Sequence, residues 1–147
     1  MEAFDAGFEQ EFLAKGRKDI GAIVTFTGLC RSENDSLKAL ELEHYPDMAE
    51  AQMAQVAGEA ATRWELLGIT LIHRYGLINA GEPIVLVIAA SKHRHNAFKA
   101  AEFMMDYLKS TAPFWKKEHR VDGTKGEWIT AKDEDTAALE RWSRLVS

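Results

Sequence analysis

Apolar residues recur along the chain at two spacings, and these spacings predict alternating helices and strands. Phe8, Phe12 and Leu13 lie at helical spacing and predict a short helix over residues 6–15. Further helices are predicted over residues 46–67, 93–110 and 134–146, and Pro113 ends the helix that precedes it. The apolar stripe predicted for the 93–110 helix consists of Ala97, Phe98, Ala101, Met104, Met105 and Leu108.

Segments rich in β-branched and aromatic residues predict the strands. These cover residues 21–28, 40–45, 69–75 and 83–90, and a hairpin around Asp122-Gly123 is predicted with arms 114–119 and 127–130. Residues 31–37 are polar and predict a mobile loop. Adjacent strand pairs are too frequent for a doubly wound sheet. We therefore predict one α+β domain over residues 1–147 with mainly antiparallel pairing.

Composition places the chain among single-domain soluble proteins. It has 147 residues, of which 46% are hydrophobic, and a net charge of −5 that argues against a dedicated nucleic-acid binder. The chain has one cysteine, its N-terminus is acidic and lacks a signal-like apolar stretch, and it has no apolar run of about 18 residues. These features predict a cytoplasmic protein that does not bind membranes.

The segment from Ser91 to Arg120 is basic within this acidic chain. It carries seven Lys/Arg against three acidic residues, whereas the rest of the chain carries 11 against 20. It also holds His93, His95 and His119, and histidine is the residue type that titrates nearest neutral pH. This combination predicts phosphate binding with proton transfer, although a solvated helix face with scattered lysines would give the same count.

Lys109 and Lys116 fall on either side of Pro113, which interrupts the helix and places both lysines near one turn. Phe114 and Trp115 are predicted to wall an apolar pocket there, in which a crowded, desolvated ammonium becomes a usable base or nucleophile. The alternative is that Lys109 complements the helix dipole and Lys116 is an ordinary exposed strand residue.

Another candidate anion-binding site lies at the start of the 93–110 helix. His93 and Arg94 would there combine a guanidinium with helix N-terminal amides, although a simple polar turn fits the same residues. Arg31 could close on an anion from the adjacent loop. No CxxC, HxxxH or HExxH spacing is present, so no metal site is predicted, and Cys30 is predicted to be buried rather than nucleophilic.

Together these segments resemble the catalytic (large) subunit of molybdopterin synthase, in family order from about residue 18 to 132. The ordered series is more specific than any one of its pieces. The matching motifs are Gly21-Ala-Ile-Val-Thr-Phe-Thr-Gly28 with Arg31, Leu42-Glu-His-Tyr-Pro46, His73-Arg74-Tyr75-Gly76, Ala80-Gly81-Glu82, His93-Arg94 with Ala97-Phe98, Met105-Asp-Tyr-Leu-Lys109 and Ala112-Pro-Phe-Trp-Lys-Lys-Glu118.

The resemblance implies an α/β-hammerhead fold with a small additional β subdomain and a homodimeric core. Each end of that dimer would bind a small ubiquitin-like sulfur-carrier subunit, giving a heterotetramer. The carrier's C-terminal Gly-Gly tail, activated as a thiocarboxylate, would thread into the large subunit. Two sulfurs would pass to cyclic pyranopterin monophosphate to form the dithiolene of molybdopterin, with no metal or redox cofactor required by this subunit.

The resemblance also implies site residues. Lys109 would be the general acid/base and Lys116 would neutralise the tail and the intermediate. At the position of Leu29 many family members have a lysine, so Leu29 can contribute only apolar or main-chain contact. At the position of Lys132 many members have an arginine, and lysine lacks its bidentate hydrogen-bonding geometry. The implied substrate-binding positions are Leu29, Cys30, Arg31, His93, Arg94, Lys109, Lys116, Lys117 and Glu118, with Phe26, Met105 and Lys132 at the same pocket.

Two other functions fit parts of the sequence. A non-catalytic adaptor could bind a ubiquitin-like Gly-Gly tail without turnover, and a regulator could bind simple phosphate anions. Neither function requires two lysines at one apolar pocket, so the sequence favours the sulfurtransferase.

Overall fold

A computed structural model describes residues 3–111, 114–129 and 142 of the chain. Within these residues the helices are α1 (Ala6–Ala14), α2 (Pro46–Trp64) and α3 (Arg94–Thr111). The strands are β1 (Ala22–Leu29), β2 (Leu37–His44), β3 (Gly68–His73), β4 (Gly76–Asn79), β5 (Pro83–Ser91) and β6 (Phe114–Arg120).

The strands form two three-stranded sheets, ordered β1-β5-β3 and β4-β2-β6, and every pairing between them is antiparallel. β5 is the central strand of the first sheet, and its residues 85–91 are all buried. Its nearly continuous apolar sequence is typical of a strand that is covered on both faces. The predicted α+β class with antiparallel pairing is confirmed.

The main core lies between the first sheet and helices α2 and α3. Phe103 is its largest fully buried side chain, and it packs against Trp64, Tyr107 and Trp142. The opposite face of the sheet meets α1, where the Thr25 hydroxyl donates to the side-chain oxygen of Gln10 at 2.6 Å. The buried members of the main core are Val56, Ala60, Val85, Val87, Ala89, Ala100, Ala101, Phe103, Met104, Leu108 and Trp142.

A smaller core lies under the second sheet and is formed by Cys30, Leu37, Leu42 and Ile78. It joins the end of β1 to β2 and β4, so the segment that follows β1 is held between the two sheets. This second sheet also carries β6, and with it the second half of the basic segment.

The structure differs from the sequence predictions at several places. β4 was not predicted, because a four-residue strand with one buried side chain leaves little periodicity. Residues 33–35 of the predicted loop form a short 3-10 turn. The second arm of the predicted hairpin forms only isolated bridges, from Ile129 to Lys116 and from Lys125 to His119. The predicted 134–146 helix, Pro113 and Lys132 lie outside the described residues.

Candidate functional site

The predicted catalytic lysines lie where α3 gives way to β6. Lys109 is exposed in the last turn of α3, and Lys116 is partly buried in β6, where it pairs with Leu42 of β2 and forms main-chain hydrogen bonds with Ile129. Only two residues separate the end of α3 from the start of β6, so the two lysines flank the same helix-to-strand connection.

The predicted apolar wall is only partly in place. Trp115 precedes Lys116 in β6 and therefore points to the opposite face of the sheet, where it packs edge-on against Tyr45 with ring centroids 5.3 Å apart. The side chain of Phe114 is outside the described part of the chain. The nearest apolar surroundings of Lys116 are instead Leu42 and the smaller core beneath it.

The residues after Lys116 are engaged in local contacts. The Lys117 ammonium lies 5.4 Å from the centre of the Trp128 ring, and the Glu118 carboxylate lies 3.6 Å from Nε of Arg120. Nε2 of His119, the third histidine of the basic segment, donates a 2.9 Å hydrogen bond to the Glu41 carboxylate between β6 and β2. Lys117 and Glu118 alternate faces, so only Glu118 lies on the side of Lys116.

Leu29, Cys30 and Arg31 reach the same end of the molecule as Lys109. Leu29 pairs with Pro83 at the start of β5, and α3 runs back along β5, so the end of β1 and the end of α3 coincide. Leu29 is 57% exposed, and the Arg31 guanidinium is exposed and paired with Glu33. The Cys30 thiol is buried, and burial raises its pKa, so it is placed as a core residue and not as a nucleophile.

His93 and Arg94 lie at the opposite end of α3. The helix begins at Arg94, and about 22 Å of helix separates it from Lys109 at 1.5 Å per residue. Both residues line an open cleft of about 720 Å³. A side chain at Gly21 would collide with the Lys92 carbonyl oxygen, so only glycine allows β1 to begin this close to the start of α3.

Several residues of this cleft were not among the site residues predicted from the sequence. Lys92, Arg94 and Lys99 provide three cations against the single carboxylate of Glu102, which suits an anionic ligand. Phe98 belongs to the apolar stripe predicted for this helix, but it is 61% exposed and therefore lies outside the buried core. The lining residues are Gly21, Lys92, His93, Arg94, His95, Phe98, Lys99 and Glu102.

Phe26 and Met105 lie between the two charged ends. Phe26 sits midway along β1 and is 42% exposed, while Met105 is partly buried against the main core. Together with Phe98 they give the surface between the ends an apolar character. The structure therefore brings Leu29, Arg31, Lys109 and Lys116 to one end and the His93-Arg94 pair to the other.

Within 3–111, 114–129 and 142, three or more His, Cys, Asp or Glu side chains nowhere gather in a metal-binding arrangement. Among the helices of that same part of the chain, none is both long and apolar enough to cross a bilayer.

Comparison with known proteins identifies one family. A family model described as MoaE protein matches residues 2–111. The molybdopterin synthase catalytic subunit of Brucella melitensis biotype 1 is 59% identical over 141 residues, which is 96% of this chain and 86% of that protein. The solved molybdopterin biosynthesis MoaE protein of Burkholderia ambifaria MC40-6 superposes with a TM-score of 0.82 at 41% identity, covering 97% of this chain and 94% of that one.

A third match is a complex. It is described as the protein–protein complex of subunits 1 and 2 of molybdopterin-converting factor from Helicobacter pylori 26695. Its matching chain superposes with a TM-score of 0.64 at 25% identity, covering 86% of this chain and 80% of that one.

Proposed function

The chain belongs to the MoaE family of molybdopterin synthase catalytic subunits, and from that premise we propose how its residues perform the sulfur transfer. The substrate is cyclic pyranopterin monophosphate, and the sulfur comes from the C-terminal thiocarboxylate of a small ubiquitin-like carrier. The observation that supports this proposal is the arrangement of the elements, because the end of β1, the end of α3 and the start of β6 lie toward the same end of the fold and carry Arg31, Lys109 and Lys116.

The chemistry needs cations at that end. When the thiocarboxylate sulfur bonds to a substrate carbon, a carbon–oxygen bond breaks and negative charge develops on the leaving oxygen. In this proposal the Lys109 ammonium donates a proton to that oxygen and is reprotonated afterwards. Water then adds to the acyl carbon of the carrier and the acyl–sulfur bond breaks, which leaves the sulfur on the substrate and releases the carrier tail as a carboxylate. Lys116 neutralises the carrier tail and the tetrahedral intermediate of this hydrolysis. Arg31 offers a bidentate contact to the phosphate once it exchanges Glu33 for the substrate.

His93 and Arg94 enter the same site only if a second copy supplies them. A separation of about 22 Å along α3 is too large for one pterin to contact both ends of a single chain. We therefore assign a homodimer in which the cleft of one copy faces the lysines of the other. The exposed rings of Phe26 and Phe98 support this arrangement, because exposed apolar side chains are typical of interfaces.

The carrier completes the assembly. The two-subunit composition of the Helicobacter pylori complex supports a small partner, and we propose a heterotetramer of two catalytic subunits and two carriers with Gly-Gly termini. Sulfur moves as a nucleophile in this scheme, so we propose that the subunit uses no metal or redox cofactor. We place the reaction in the cytoplasm.

The proposal is tested by reconstitution with thiocarboxylated carrier and pterin substrate. Lys109→Ala should lower dithiolene formation at least about 100-fold, the usual scale for a lost general acid. Its control is Lys18→Ala, which removes an exposed lysine between α1 and β1 and should retain full activity. Full activity in Lys109→Ala would refute the catalytic assignment.

The same experiment separates the other candidate functions. A non-catalytic adaptor would bind the carrier without forming product, and its binding would be insensitive to Arg31→Ala or His93→Ala. A phosphate-binding regulator would bind inorganic phosphate without pterin and would show no affinity for a Gly-Gly tail.

A further inference from the structure

Arg74 is a buried cation that the proposed chemistry does not use. It lies in the turn between β3 and β4, and only 6% of it is exposed. Its Nη1 donates to the Pro83 carbonyl at 2.7 Å, while Nε has no hydrogen-bond partner among the described residues. Burying a guanidinium against a carbonyl, without an acidic partner in that part of the chain, is costly. Such a residue is expected to have a role beyond stability.

Arg74 donates hydrogen bonds to the carbonyls of Pro83 and Ile84, and these two residues form an irregularity in the first sheet. Gly28 pairs with Val85 but Leu29 pairs with Pro83, so Ile84 is an extra residue in β5. The Arg74 main-chain N–H donates to the Ile84 carbonyl at 2.8 Å, and its side chain binds the neighbouring Pro83. β-Bulges of this kind redirect a strand and recur beside active sites.

The bulge continues into the turn that fixes the end of β1. The Cys30 N–H donates to the Glu82 carbonyl at 2.8 Å, and the Gly81 N–H donates to the Cys30 carbonyl at 2.6 Å. The Glu82 carboxylate closes this turn by accepting from the Asn79 N–H at 2.8 Å. Arg31 follows Cys30 directly, so its backbone position is set by contacts that begin at Arg74.

We propose that Arg74 is a positioning residue that sets the location of Arg31 through the Pro83-Ile84 bulge and the Gly81-Glu82 turn. This inference rests on the phosphate-binding role given to Arg31 above. It extends that role, because the buried guanidinium of Arg74 positions the guanidinium of Arg31 without contacting the substrate itself.

A double-mutant cycle tests the link in the reconstituted synthase. Arg74→Met should raise the KM for the pterin substrate about tenfold, with a smaller change in kcat, because misplacing a binding group weakens substrate positioning. In an Arg31→Ala background the same substitution should raise KM less than about twofold, since coupled residues are non-additive. Arg74→Lys keeps a donor for the Pro83 carbonyl and should have a KM close to that of the wild type, although lysine lacks the planar, multi-donor guanidinium of arginine.

Arg63→Met is the matched control. Arg63 is also partly buried, pairs with Glu59 and lies 4.7 Å from the Phe103 ring centre, but it belongs to the end of α2 in the main core. This variant should lower stability without changing the KM for pterin. If Arg74→Met does not fold, Arg74→Gln takes its place in the cycle, and Arg74→Lys remains the variant expected to recover the KM.

The outcomes are distinct. Equal KM effects of the Arg74 variants in both backgrounds, or an equal KM effect of Arg63→Met, would overturn the positioning role while leaving the proposed function intact. If Arg31→Ala left the KM unchanged, the phosphate role of Arg31 in the proposed function would itself fail, and the inference with it.

Discussion

Arg94 and Lys109 stand at the two ends of α3, about 22 Å apart along the helix axis. Arg94 lines the cationic cleft, while Lys109 lies toward the same end of the molecule as Arg31 and Lys116. The exposed Phe98 and the partly buried Met105 lie between them on the same helix. If one substrate needs both ends, the fold can supply them only from two copies.

This arrangement predicts complementation between two inactive variants. Arg94→Ala and Lys109→Ala should each abolish most dithiolene formation when alone. Mixed and allowed to exchange subunits, they should recover about a quarter of wild-type activity, because half of the dimers are mixed and each mixed dimer holds one intact site of two. Product formation after mixing is the measurement.

The control mixes Lys109→Ala with Lys116→Ala. Both lysines belong to the same end of one chain, so every site in the mixed dimer lacks one of them and activity should stay low. Recovery in this control, or no recovery with Arg94→Ala, would mean that the ends do not combine across two copies.

The sequence predicted those parts of the fold that have a strong local signal. The apolar run of β5 and the helical spacing of α2 and α3 were sufficient to locate these elements. β4 was missed because it is short, and its pairing with β2 is a long-range contact without a local pattern. Phe98 shows the limit of periodicity, since spacing defines a helix face but not how much of it the sheet covers.

The sequence named candidate site residues but not how they are arranged in space. The charge of the basic segment marked both ends of α3, but it could not show that they lie on opposite sides of the molecule. The cleft residues Lys92, His95 and Lys99 belong to the same basic segment and were left unassigned for that reason. Arg74 was quoted only as part of a motif, because the β5 bulge that it holds is visible only in three dimensions.

Stability should fall in weak acid because of His73. Burial lowers the pKa of His73 to about 4, and its Nδ1 is hydrogen-bonded to the Arg74 carbonyl at 2.8 Å. The unfolded chain takes up this proton near pH 6.5 and the folded chain only near pH 4, so stability is lost as the pH falls between these values. The loss from pH 7 to pH 5 should be about 2 kcal/mol.

The variant His73→Asn isolates this contribution. Its amide can still donate to the Arg74 carbonyl, but it has no group that titrates in this range. Urea unfolding at pH 7 and pH 5 should show a smaller pH dependence for His73→Asn than for the wild type. Equal dependence in the two proteins would exclude His73 as the source.

The Cys30 thiol should be unreactive toward alkylating reagents in the native protein. It is buried among Leu37, Leu42 and Ile78, and burial raises its pKa, so little thiolate reaches solvent. Iodoacetamide at pH 8 should label the native chain slowly and the urea-unfolded chain fully, as followed by mass spectrometry. Cys30→Ala should keep activity within about threefold of the wild type, since the side chain acts only through packing. Rapid native labelling, or loss of turnover in this variant, would indicate a direct role.

Two glycines should respond in opposite directions to the same substitution. Gly21 abuts the Lys92 carbonyl at the edge of the cleft, whereas Gly58 is exposed within α2 with open space where a Cβ would lie. Gly58→Ala should raise the free energy of unfolding by about 0.5–1 kcal/mol, because alanine loses less conformational entropy in a helix. Gly21→Ala should lower it by about 1–3 kcal/mol, the scale of an overpacked contact.

Urea unfolding midpoints at a constant m-value measure both changes. Gly21→Ala has a second consequence, because the backbone that must move carries Lys92 into the His93-Arg94 cleft. Its dithiolene formation should therefore fall under conditions where the protein is fully folded, while Gly58→Ala should match the wild type. A Gly21→Ala protein as stable and as active as the wild type would show that β1 and α3 do not pack this closely.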